Sequence, residues 1–241
     1  MSRHSKWSTI KRQKGVTDQK RGTQFTKLAN TVTMAARQGG PNPEINFKLR
    51  IAIEKARAAN MPKENIERAI ARAQKNEGDA ALEQMQLEVI GPGGVGLVIT
   101  ATTDNRNRVV GALKAVLHKH AASLAGPNAV AWQFALRGHV LVPLPPTKEA
   151  QEELELAAID AGSLDVEEHA ESLILTTDPH SLERVKDALE RRHIAITEMG
   201  IGLEPTVTVP VADQDTGRKL DNLIADLEAI DEVDEVVTNA A

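Results

Sequence analysis

The chain contains no cysteine and no tyrosine. The missing thiol excludes disulfides, thiolate metal sites and cysteine nucleophiles together. Aromatic residues are only 2% of the 241 positions, three Phe and two Trp, so a core must be built from Ala, Val, Ile and Leu. No uncharged run reaches the roughly 18 apolar residues that a membrane-spanning helix needs, so no membrane partner is expected. The start also lacks an apolar stretch behind its charges, which argues against a secretory signal. With 41% hydrophobic and 26% charged residues, the balance is that of a folded chain.

Acid is the other local absence. Met1 to Gly15 carry Arg3, Lys6, Lys11, Arg12 and Lys14 and no Asp or Glu. Residues 1–76 hold 17 Lys and Arg against 5 Asp and Glu, whereas residues 77–241 hold 12 against 29. The overall net charge of −5 conceals this split. A basic module joined to an acidic remainder points to a polyanionic partner for the basic part.

Chemistry has little to stand on. Gly91, Gly93 and Gly96 satisfy a dinucleotide-site spacing. That motif needs a strand before it and a helix N-terminus after it, and here a strand follows, so a hairpin turn is expected. No Gly-Lys-Ser/Thr and no Gly-x-Ser-x-Gly occurs. His118 and His120 would point about 200° apart on a helix and cannot share one ion. The acidic runs Glu152-Glu153-x-Glu155 and Asp231-Glu232-x-Asp234-Glu235 read as solvated faces. No enzyme activity, cofactor or metal is expected.

Hydrophobic spacing predicts helices over Thr17–Gln38, from Asn42-Pro43 to Ala59, and from Pro62 to Gln74. A hinge is placed at Lys75–Asp79, where the charge changes sign. Strands are expected at Leu87–Ile90 and Val95–Thr102, around the Gly91-Pro92-Gly93-Gly94 turn. A helix over Asn105–Leu124 follows, capped by Thr103 or Asp104, then strands at Val130–Phe134 and His139–Val142. Helices at Lys148–Ala161 and Ser181–Arg192, with strands at Asp165–His169, Leu173–Thr176 and Ala195–Ile201, spell the split β-α-β pattern of a ferredoxin-like domain. A strand at Thr206–Val211, a helix at Thr216–Ile230 and a strand at Val233–Val237 close the chain.

The expected fold class is therefore α+β and multidomain. An N-terminal three-helix bundle is followed by two α/β sandwich-like domains, the last ferredoxin-like and inserted in the middle one. The boundaries are 1–78 for the basic bundle with its arm, 79–134 plus 205–241 for the discontinuous domain, and 135–204 for the insertion.

Two segments are candidate sites. Lys6, Lys11, Arg12, Lys14, Lys20, Arg21 and Lys27 form a dense run of cations opposed only by Asp18, with Arg3, His4 and Trp7 in or beside it. Such a run suits phosphate neutralisation, and His4 and Trp7 are flat groups that can stack on a base. Engaging about six phosphates implies a salt slope near −5. The second is Asn105, Arg106, Asn107 and Arg108, where arginines in a first helical turn oppose the helix dipole and could serve a phosphate.

The motifs also resemble a known family. Met1-Ser2-Arg3-His4-Ser5-Lys6-Trp7, Asp18-x-Lys20-Arg21, Phe25-x-Lys27-Leu28, Asn60-Met61-Pro62, Gly91-Pro92-Gly93-Gly94-Val95 and Thr103-Asp104-Asn105-Arg106-Asn107-Arg108 are similar, in order and spacing, to the YebC/PmpR family. Arg3 stands where that family usually has Gly, Ala29-Asn30 where an Arg-Glu pair is common, and Ala121-Ala122 in place of Gly-Gly. The resemblance implies a three-domain, non-enzymatic regulator of gene expression. Members include DNA-binding transcriptional regulators, ribosome-associated factors that relieve stalling at proline-rich sequences, and mitochondrial translational activators of cytochrome c oxidase. The family opening at Met1 leads us to expect a cytoplasmic protein. The expected partners are ribosomal RNA and the ribosome, with DNA as the alternative target. The further alternative is that the chain is itself a protein-interaction scaffold, its acidic ferredoxin-like domain binding a protein. The chain is expected to be monomeric.

Overall fold

The computed structural model describes residues 18–74, 82–169, 172–211 and 213–241, with side chains from residue 24 onward. The expected hinge and the arm residues Arg3, His4, Lys6, Trp7, Lys11, Arg12 and Lys14 lie outside the described residues. The architecture is α+β: an N-terminal helical region and two four-stranded sheets. The chain forms two compact units, Ala135–Glu204 and the residues on either side of it.

The helical region comprises α1 (Asp18–Gly39), α2 (Phe47–Ala58) and α3 (Lys63–Gln74). In α1, Leu28, Val32, Ala35 and Ala36 recur at helical spacing and are buried against Leu49, Ala52, Ile53 and Ala56 of α2 and Ile66 and Ala69 of α3. The many alanines in this core let the helices approach closely. After α1, Gly40 turns the chain in the left-handed region (φ 88°), which costs a glycine little. The cap of α2 is Asn46 rather than the expected Asn42. The Asn46 Oδ1 accepts the Leu49 N–H at 3.1 Å, while its Nδ2 donates to Ala35 O at 2.9 Å and Gly40 O at 2.7 Å. Asn42 instead closes the preceding turn, its Oδ1 accepting the Glu44 N–H.

The first sheet has the order β3-β1-β2-β8, with β1 (Glu83–Ile90), β2 (Gly96–Thr103), β3 (Ser123–Leu124) and β8 (Val233–Thr238). All its ladders are antiparallel, and Val89, Leu87 and Met85 oppose Leu97, Ile99 and Ala101. These residues make one apolar face. Onto it pack α4 (Arg106–Lys119) through Val109, Leu113 and Leu117 and α7 (Gln214–Glu228) through Leu220, Leu223, Ile224 and Leu227.

On β8, both Val233 and Val236 join that core, although three positions apart they would point to opposite faces of a regular strand. A register shift reconciles them: Thr100 pairs with Glu235 and Ala101 with Val233, leaving Asp234 unpaired in the bulge.

Helix α4 ends at Lys119, five residues short of expectation. Its ending is marked by Ala121 in the left-handed region at φ 52°. The residues expected as a strand at Val130–Phe134 instead form a 3-10 turn at Ala131–Gln133, held where Glu88 accepts the backbone N–H groups of Val130 and Ala131 at 2.7 and 2.8 Å. Thr206–Val211 forms no strand, only a parallel bridge from Val209 to Ala240.

The second unit contains β4 (Phe134–Pro143), α5 (Lys148–Ala161), β5 (Ser163–His169), β6 (Ser172–Thr177), α6 (Leu182–Arg191) and β7 (Glu198–Pro205). Strand β4 begins in the first unit at Phe134 and β7 ends there at Pro205. The order β5-β6-β4-β7 is that of a ferredoxin-like sheet. Leu173 to Thr177 are buried without interruption, as befits an inner strand.

Candidate nucleic-acid interface

Of the expected cations, Lys20 and Arg21 lie on α1, with side chains outside the described ones. The structure places Lys27 elsewhere. Its Nζ donates to Glu228 O at 2.7 Å, at the end of α7. Burial lowers the Lys27 ammonium below the ordinary lysine range, against the opposing pull of Asp234, Glu228, Asp231 and Glu232. Lys27 thus docks α1 on the acidic edge of the first sheet. Arg37, three turns on, is used similarly, its Nη1 donating to Leu82 O at 2.9 Å.

Opposite Lys27 sits the bulged Asp234. Burial pushes its carboxyl up to about 6, although the Thr102 hydroxyl and the Lys27 charge pull it down. Here the desolvation of the carboxyl outweighs both the Thr102 hydrogen bond and the attraction of the Lys27 charge.

The Asn105–Arg108 segment also divides. Asn105, not Thr103 or Asp104, caps α4, its Oδ1 accepting the Arg108 N–H at 3.1 Å. Thr103 supports it by accepting the Asn105 N–H at 2.9 Å. Arg108 is held by two carboxylates, Nε on Glu232 Oε1 and Nη2 on Asp104 Oδ1, both at 2.8 Å. These hydrogen bonds raise its guanidinium above the ordinary arginine value. Arg106 and Asn107 are exposed, and Arg106 meets no acid among the described residues. The structure therefore leaves Arg106 as the arginine of this motif that is free to meet an anion.

Further cations lie on the other two helices of the bundle. Of these the sequence points to Arg68 and Arg72, which with Gln74 are what the third helix offers a DNA-binding reading, and not to those of α2. Lys48, Lys55 and Arg57 of α2 and Arg68 and Arg72 of α3 are exposed, and none pairs with a carboxylate among the described residues. They spread positive charge over the outer faces of α2 and α3. The spacing of Leu49, Ala52, Ile53 and Ala56 marks the opposite, buried face of α2, and the structure buries all four, whereas Ile45, expected in the same stripe, is 80% exposed.

The remaining motifs are structural. Pro92–Gly94 forms a 3-10 turn joining β1 to β2, closed by Gly91 N–H on Val95 O at 2.8 Å. His120 Nε2 lies 2.8 Å from Asp226 Oδ2, which Lys119 also meets at 2.7 Å. Among the described residues, no three His, Asp or Glu are gathered in a metal-binding arrangement, and no helix is long and apolar enough to cross a membrane.

Residues 5–76 match the family model described as "TACO1/YebC protein N-terminal domain", and residues 82–240 match "TACO1/YebC second and third domain". A "Probable transcriptional regulatory protein" of Moorella thermoacetica is 43% identical over 241 residues, covering 100% of this chain and 95% of that one. One of the same description from Thermomicrobium roseum is 44% identical over 242 residues, covering 100% and 96%. A crystal structure of a conserved hypothetical protein from Aquifex aeolicus superposes with a TM-score of 0.83 at 40% identity, covering 93% of this chain and 91% of that one.

Proposed function

Because the chain belongs to the TACO1/YebC family, we propose that it is a non-enzymatic, nucleic-acid-binding regulator of gene expression, acting as a translation factor on ribosomal RNA. The observation that carries this is the division of charge. Residues 1–76 hold 17 basic against 5 acidic residues, and the remainder 12 against 29. A polyanion attracts the first part and repels the second, so binding is oriented, with the acidic domains directed away from the phosphates.

Structured RNA suits the bundle better than a duplex read by a recognition helix. The four residues 59–62 join α2 to α3 as in a helix-turn-helix, where the first turns of the second helix enter the major groove. Here those turns are of mixed sign, exposed Glu64 and Glu67 beside Lys63 and Arg68, with Glu67 3.5 Å from Lys63, a face that gives a groove lined by phosphates little net attraction. With few aromatics in the arm, recognition by shape and phosphate is the better fit. In this reading the arm residues Lys6, Lys11, Arg12 and Lys14, with Lys20 and Arg21, supply the first contacts, and Arg106 a secondary one. Reversing the charge of Lys11, Arg12 and Lys14 together is expected to abolish co-sedimentation with ribosomes. Unchanged co-sedimentation would sink the proposal.

The second reading is a DNA-binding transcriptional regulator, which the names of the relatives favour. It requires a defined operator bound far more tightly than random duplex near physiological salt, about 150 mM.

A further inference from the structure

Helices α1 and α3 leave between them an open groove of about 520 Å³, lined in part by Phe25, Ala29, Asn30, Met61, Arg68 and Arg72. Asn30 is only 8% exposed, yet no hydrogen bond to its amide is made among the described residues. Its amide atoms are not shut away from solvent but open on the groove, where a ligand can take the place of water. Thr33 gives the contrast one turn along: its fully buried hydroxyl lies 2.9 Å from both Ala29 O and Ala69 O, stitching α1 to α3. The Asn30 amide is left facing the groove.

The rim supplies charge. Arg68 and Arg72 sit one turn apart on α3, both exposed. Neither meets a carboxylate among the described residues, and Arg68 Nη2 donates only to Asn65 Oδ1, at 3.1 Å. Phe25, half-buried, lines the same groove. A flat ring, an amide offering donor and acceptor side by side, and two guanidinium groups not held by carboxylates are the complement of one nucleotide. The ring meets the base, the amide its edge, and the arginines its phosphates.

We propose that this groove takes a single unpaired nucleotide of the bound RNA, its base stacked toward Phe25 and hydrogen-bonded to Asn30, its flanking phosphates on Arg68 and Arg72. This rests on the RNA-binding reading above and specifies what within the RNA is recognised. A base inside a duplex cannot reach the groove, so a bulge or loop is required.

The test is fluorescence anisotropy of the full chain with two RNA hairpins, identical except that one stem carries an unpaired adenosine, and with the DNA counterpart of the bulged hairpin. The bulged RNA is expected to bind about tenfold more tightly than the paired one, the gain from a single stacked base. Asn30→Leu, close in size, and Ala29→Phe, which fills the groove, are expected to erase that preference while leaving the paired hairpin bound as before. The double change Arg68→Ala, Arg72→Ala removes two exposed cations and is expected to flatten the salt slope on the bulged RNA by one to two, roughly one for each phosphate no longer engaged.

Equal affinity for the two RNA hairpins overturns the groove and leaves RNA binding standing. So does a preference that survives in all three variants, one that appears only after residues 1–17 are removed, which would make the arm the occupant, or a bulged DNA bound better than the RNA. Failure to bind any hairpin overturns the RNA reading itself.

Discussion

Thr102 Oγ1 donates a 2.6 Å hydrogen bond to Asp234 Oδ2, reaching the one residue of β8 that the β2 ladder skips. The bulge that keeps Val233 and Val236 in the core thereby turns a carboxylate toward buried surroundings. Two residues set apart by chain order are coupled through one irregularity of the sheet.

That coupling makes stability depend on pH in an identifiable direction. The folded-state value for Asp234 is raised from 3.8 to about 6. Between these values the folded chain binds more protons than the unfolded one, so stability falls as pH rises through that window and levels off above it. Asp234→Asn keeps an acceptor for Thr102 and removes the ionisation. It is expected to match the wild type near pH 4 and to exceed it above pH 7 by about 3 kcal/mol, measured by urea unfolding at both values. A difference that does not change with pH would show that the carboxyl ionises normally.

Lys27 sits in the basic run but its amine is engaged with Glu228 O. Lys27→Met keeps the aliphatic stem and is expected to leave the salt slope of RNA binding unchanged, whereas removing a cation that neutralises a phosphate flattens the slope by about 0.7 to 0.9. Anisotropy titrations over a range of salt separate the two. The same variant is expected to move the Asp234 carboxyl higher still, since an opposing charge is removed.

Asn46 joins α1 to α2 with a cap and two carbonyl contacts while only 5% exposed. A Cβ at Gly39 would come within 2.6 Å of Asn46 Nδ2, so the approach of chain to amide is close. Asn46→Ala is expected to cost about 2–4 kcal/mol in chemical denaturation, the sum of a missing cap and unpaired carbonyls. Asn46→Asp retains the cap oxygen but sets a second oxygen against Ala35 O and Gly40 O, and is expected to be destabilising too.

Much of this arrangement was legible in the residues themselves. The stripe Leu28, Val32 and Ala36 marked α1, and the bounds of α5 and α3 follow from capping and from proline. The ferredoxin-like order of elements could be read from alternating period. What could not be read depends on partners far along the chain. Lys27 looks like any other cation of its run because its acceptor is 201 residues away. The bulge at Asp234 is invisible until β8 is laid against β2. Asn42 and Asn46 carry equal local signals, and only the nearby carbonyls of Ala35 and Gly40 select between them. Val130 and Phe134 alternate with exposed Trp132 as a strand would, but the carboxylate of Glu88 holds that backbone in a turn. Asn30 falls off the apolar stripe of α1 and gave no sign of the groove.

Ala121 holds a left-handed backbone angle that an L side chain resists, φ 52°. Ala121→Gly relieves about 1–2 kcal/mol of strain and returns part of it as extra freedom of the unfolded chain, for a net gain of about 0.5–1 kcal/mol. In a chain of this size the midpoint of thermal unfolding is expected to rise by about 1–4 °C. A lower midpoint would mean that the methyl group contributes packing that outweighs its strain.

The pairing of β2 with β8 carries a consequence for how the chain is made. Gly96 and Asn239, which exchange hydrogen bonds at the end of that pairing, are 143 residues apart. At about 5–20 residues per second of synthesis, the β1–β2 hairpin waits on the order of ten seconds for its last strand. Hairpins close in about 1–10 μs, so during nearly all of that delay a finished ribbon presents an open edge. The whole of Ala135–Glu204 must emerge in the meantime. Slow codons or substitutions that retard the insertion would lengthen this exposure, and the damage would appear as aggregation of new chains while molecules already completed kept their stability.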